Sequence, residues 1–116
     1  MTESIGGKLV QVLSGIIDIG LDQDGQQALP YAVYSLDVAP YYVKGSIYKY
    51  SGTMYIYIYA NRASDARELQ EQVVAAIALQ MQDAQYRSRL LSASSGDDNG
   101  KYVQTLEFSI TQVKHE

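Results

Sequence analysis

A chain of 116 residues without cysteine is one domain by length, and its core has to be held by packing alone. Disulfide scaffolds, thiolate metal sites and cysteine nucleophiles are thereby excluded. Nine basic residues against thirteen acidic ones give a formal charge of −4, and no basic cluster exceeds Arg87 and Arg89, so the basic footprint that duplex nucleic acid demands is missing.

In chain order, Ile5, Leu9, Val12, Leu13 and Ile16 fall on one helical stripe, which predicts a short amphipathic helix over 5–16. The following DIGLDQDGQQA has no period and reads as a loop. LPYAVYSLDV predicts a strand in which Tyr31, Val33 and Ser35 oppose Ala32, Tyr34 and Leu36. Pro30 stands at its entrance, where a missing N–H costs least, and Pro40 ends it. APYYVKG is then a connector to a second β region, Ser46 to Ala60.

In that region TMYIYIYA alternates strictly, with Met54, Ile56 and Ile58 on one face and Tyr55, Tyr57 and Tyr59 on the other. Tyr48 and Tyr50 have the opposite parity. Two devices bring all five rings to one face: a hairpin with Ser51–Gly52 as its loop, or a one-residue bulge in a single long strand. The sequence leaves both open.

Ser64 and Asp65 are read as the cap and acidic first turn of a second helix ending near Asp83. Ala66, Leu69, Val73, Ala76 and Ile77 line one side of it. The last third reads as a hairpin: Tyr86 to Ala93, a turn in SSGDDNG, then Lys101 to Val113. Leu106, Phe108 and Ile110 share a face of the closing strand, and Thr105, Glu107, Ser109 and Thr111 share the other. The expected fold is α+β, a two-layer sandwich: a mostly antiparallel sheet of four to five strands with two helices on one face. A single domain spans 1–116.

Residues suited to catalysis are few. His115 is the only histidine and stands beside the last residue, where neither a fixed position nor an orienting partner is expected. LDQDGQQALPY has the look of a calcium loop around Asp22, Asp24 and Gly25, but Gly20 falls where the first ligand belongs and Tyr31 where the bidentate glutamate belongs. Turn chemistry explains it better. Asp37, Asp65 and Glu107 are carboxylates that could meet, with nothing to single them out. Arg87 and Arg89 alternate on a strand, the pattern of a solvated sheet face. No catalytic residue, metal site or cofactor is expected. No apolar run approaches the roughly 20 residues of a membrane-spanning helix, and MTESIGGKLV lacks the apolar core of a secretory signal, so an intracellular setting is the expectation.

Tyrosine is the compositional outlier: eleven, against one phenylalanine and no tryptophan. Tyrosine suits rings that pack while the hydroxyl stays wet or partnered, as at interfaces. The rings could pack beneath a loop or helix and merely fill space. The preferred reading is a subunit contact made by Tyr48, Tyr50, Tyr55, Tyr57 and Tyr59 on the uncovered side of the sheet, since five rings there would exceed the patch a monomer usually exposes.

Three stretches carry a family resemblance: LPYAVYSL at 29–36, MYIYIYANRASDARELQEQVVAAI at 54–77, and GKYVQTLEFSITQ at 100–112. In order and spacing they resemble the tail completion, or head–tail joining, proteins of long-tailed bacteriophages and prophages. The density of tyrosine departs from common members. The resemblance implies a non-enzymatic virion component assembled in the host bacterial cytoplasm. It implies a ring, typically a hexamer, at the head-proximal end of the tail tube, contacting the tail tube protein and the head connector proteins. It carries no catalytic or cofactor residue. The alternative is a small binding module whose tyrosine face takes a carbohydrate or nucleobase, which needs a concave groove with convergent polar groups.

Overall fold

The computed structural model describes residues 4–21, 29–98 and 100–113. Seven elements follow in order: α1 (Ile5–Leu13), β1 (Asp18–Leu21), β2 (Tyr31–Val43), β3 (Ser46–Ala60), α2 (Ala63–Gln80), β4 (Tyr86–Asp98) and β5 (Lys101–Val113). The strands form one sheet in the order β1-β2-β3-β5-β4. Only β1 and β2 pair in parallel; the other neighbours are antiparallel. The fold is the α+β arrangement expected.

Alternation along β3 and β5 decides where the core lies. Met54, Ile56 and Ile58 are fully buried, as are Leu106, Phe108 and Ile110 to within 2%. Register sets them side by side, Ile56 opposite Leu106 and Met54 opposite Phe108. Leu9 and Leu13 of α1 and Val73 and Ile77 of α2 close over them in the same cluster. Each such side chain contributes about 1.5–3 kcal/mol by leaving water. α1 starts at Ser4, whose hydroxyl accepts from the Gly7 amide at 3.0 Å.

Several boundaries differ from the expectation, each for a local reason. The stretch read as a loop after α1 contains β1, whose Ile19 is buried opposite Ala32; a four-residue strand with a glycine inside it carries too little periodicity to stand out. α1 ends at Leu13, although Ile16 still packs on the core. α2 is capped at Arg62, in extended conformation, so Ser64 lies inside the first turn, and the helix ends at Gln80 rather than near Asp83. Asp83 instead makes the turn into β4: its carboxylate accepts from the Tyr86 amide at 2.9 Å and the Gln85 amide at 2.8 Å. Those amides hold its carboxyl below the usual range.

Pro40 does not end β2. It pairs with Tyr50 inside the β2–β3 ladder, while β1 accompanies β2 only as far as Tyr34. Beyond that point β2 is an edge, and a proline without an N–H is tolerated there. APYYVKG is therefore the far end of β2 and the turn: Val43 faces Ser46 across Lys44 and Gly45, both with positive φ, 53° and 84°, the requirement of a tight two-residue hairpin. Similarly, β4 runs five residues past Ala93, to Asp98, which faces Lys101.

The largest correction concerns Ser51–Gly52. β3 passes through both without a turn or a register shift, Ser51 facing Ala39 and Thr111, Gly52 facing Val38 and Ile110. Neither the hairpin nor the bulge exists there. Glycine serves close approach instead: a Cβ at position 52 would stand 2.1 Å from the Asp37 carbonyl oxygen and 2.7 Å from the Val38 Cα. The one irregularity in the β2–β3 ladder lies between Tyr41 and Tyr42, opposite Lys49 and Ile47.

Candidate functional site

With both helices packed over Met54, Ile56 and Ile58, the opposite side of the sheet carries no helix among the described residues. Its side chains follow from register. Tyr55, Tyr57 and Tyr59 of β3 lie between Ser35, Val33 and Tyr31 of β2 and Glu107, Thr105 and Val103 of β5. β4 adds Arg87, Arg89, Ser92 and Ser94 at the outer edge.

The tyrosines on this face pair with one another. Tyr31 and Tyr59 stack at 4.9 Å between centroids with 17° between planes, and Tyr55 and Tyr57 stack at 6.5 Å and 16°. Lys101 places its ammonium 5.6 Å from the Tyr31 ring centre and donates to the Tyr31 hydroxyl at 3.4 Å. Tyr31 is buried by these neighbours, whereas Tyr55, Tyr57 and Tyr59 are half-buried. Polar cross-strand contacts fill the rest: Ser51 and Thr111 share a hydrogen bond of 3.0 Å, and Ser92 donates to the Glu107 carboxylate at 3.1 Å.

Of the five tyrosines expected on this face, the sheet brings three together. Tyr50 has the parity of Met54, so it lies on the helix side and packs at the margin of the core. Tyr48 sits at the ladder irregularity beyond the end of β5, where it is half exposed. Tyr31 takes a place on the face that the sequence reading had not given it, through its stack on Tyr59.

A second aromatic surface lies at the β2–β3 turn. The β2–β3 tip exposes Tyr41 to 51%, Tyr42 to 63%, Val43 to 53% and Tyr48 to 50%. Lys49 holds its ammonium 5.3 Å from the Tyr41 ring and 5.9 Å from the Tyr48 ring. The signal was present as a Lys-Gly dipeptide flanked by tyrosines on both sides, a hairpin turn hidden behind Pro40.

The carboxylates do not converge. Asp37 and Glu107 both face the open side but belong to strands separated by β3, roughly 10 Å at ordinary strand spacing. Asp65 belongs to α2 in the other layer. Among the described residues no group of three or more His, Cys, Asp or Glu is placed to hold a metal ion. His115 and the Asp22–Asp24–Gly25 segment lie outside the described residues. Hollows among the described residues are lined in part by α2 and not by Tyr55, Tyr57 or Tyr59.

The fold has a counterpart among solved structures. The structure of the bacteriophage SPP1 gp17 protein is similar over 93% of this chain and 86% of that one, with a TM-score of 0.51 and 15% identity. At that identity the likeness is one of fold. No family model and no curated protein matches the sequence. The gp17 likeness spans nearly the whole chain, helices and sheet together.

Proposed function

We propose that this chain is a non-catalytic structural protein of a bacteriophage or prophage particle. It forms a ring, with six copies expected, at the head-proximal end of the tail tube and joins the tube to the head connector. Assembly takes place in the host bacterial cytoplasm, and the finished protein resides in the virion. The observation that carries this reading is the fold likeness to the phage gp17 protein along 93% of the chain, together with the three stretches that resemble tail completion proteins. The sheet face opposite α1 and α2 supports it, because Tyr55, Tyr57 and Tyr59 supply the aromatic centre that subunit contacts favour.

The reading is tested on tail tubes polymerised from the tube protein of the same phage. Protein tagged with gold at its N-terminus and viewed by negative-stain microscopy should mark one end of each tube. Label distributed along the tube wall, or no label at either end, would contradict the reading.

A further inference from the structure

The longest element of the chain sets two dissimilar surfaces far apart. β3 starts at the β2–β3 turn and ends at Ala60, beside the start of α2. Fifteen residues of strand span about 46 Å at 3.3 Å per residue, close to the longest extent of the molecule, 50 Å. One end is the tyrosine-bearing tip, and the other is the hollow beside the first turns of α2.

The tip has no sheet neighbour of its own among the described residues. β1 leaves β2 at Tyr34, and β5 leaves β3 at Lys49. A two-stranded ribbon is marginal in water when nothing covers it, and this one bears four half-exposed apolar side chains. It is also positive. Between Asp37 and Asp65 the sequence contains no acidic residue, while Lys44 and Lys49 stand at the tip.

The hollow has the complementary character. Pro30, Ala60 and Leu69 supply apolar lining, and Asp65 and Glu68 stand exposed at its rim. Its volume of about 280 Å³ is below the range usual for small-molecule sites.

We infer that the tip of one copy docks into the hollow of the next, with Tyr41, Tyr42 or Tyr48 against the apolar lining and Lys44 and Lys49 facing Asp65 and Glu68. The occupant is a second copy of this chain, argued from the charge complementarity of the two ends. Because the two surfaces differ, the contact is head-to-tail, the kind that closes into a ring when the rotation per subunit allows. The inference rests on the proposed self-assembly and adds an end-to-end contact to the one made by the open tyrosine face.

Charge reversal tests it. Lys44→Glu with Lys49→Glu makes an arm variant; Asp65→Lys with Glu68→Lys makes a hollow variant. Each alone should raise the concentration of half-assembly at least tenfold, read by sedimentation velocity. An equimolar mixture should reassemble, because the acidic arm meets the basic hollow and the native arm meets the native hollow. Reassembly also shows that both variants are folded. If wild type assembles and neither variant alters it, or if the mixture fails to reassemble, the arm contact is wrong while the proposed function stands. If wild type itself stays monomeric, both fall.

Discussion

Gly52→Ala is expected to lower stability by about 3 kcal/mol, the upper end for forcing extra carbon into a packed site. The atoms in the way are backbone: the new Cβ would stand 2.1 Å from the Asp37 carbonyl oxygen, 2.7 Å from the Val38 Cα and 3.0 Å from the Asp37 carbonyl carbon. None can rotate aside as a side chain can. Relief requires β2 and β3 to separate where they are paired. For a domain of this size the shift in melting temperature is on the order of 10 °C. Gly15→Ala is the matched control, since a Cβ there meets nothing within 4 Å; it should be neutral or slightly stabilising. Thermal melts followed by circular dichroism decide. A Gly52→Ala variant melting within 2 °C of wild type would show that the two strands do not approach as described.

Tyr57→Lys should weaken assembly more than tenfold while leaving the fold intact. Tyr57 stands mid-face, between Val33 and Thr105 on the neighbouring strands and stacked on Tyr55. Tyr57 is half-buried on the side away from α1 and α2, so lysine can extend into water in the free chain, at a cost of about 1 kcal/mol in cross-strand packing. In a subunit contact the same lysine would be an unpaired charge at the aromatic centre, where truncation of an anchor alone costs about 2 kcal/mol or more. At 1.4 kcal/mol per decade, the concentration of half-assembly should rise more than tenfold. Tyr50→Lys separates the two sheet faces. Tyr50 packs at the core margin, so that change should lower the melting temperature. Normal assembly by Tyr57→Lys, in protein with a normal melt, would remove the open face from the subunit contact.

The sandwich was legible because its central strands obey a single period. In β3 and β5 every second residue from Met54 to Ile58 and from Leu106 to Ile110 is apolar, and both runs are buried as the alternation demands. α2 was legible for the same reason at the helical period, through Ala66, Val73 and Ile77. What escaped depended on partners remote in sequence. Pro40 reads as a strand end unless β1 is known to stop at Tyr34, which leaves an open edge there. Gly52 reads as a turn residue unless the Asp37 carbonyl is known to lie against it. That second misreading carried Tyr48 and Tyr50 onto the wrong surface. Three tyrosines of the candidate face were nevertheless placed correctly, by alternation alone.

Self-assembly is the claim on which the functional account turns, and molar mass measures it most directly. Multi-angle light scattering on the wild-type protein at high concentration, with and without the tail tube protein, should give a ring, six times the mass of the 116-residue chain in the expected case. A monomer's mass under both conditions would contradict the account.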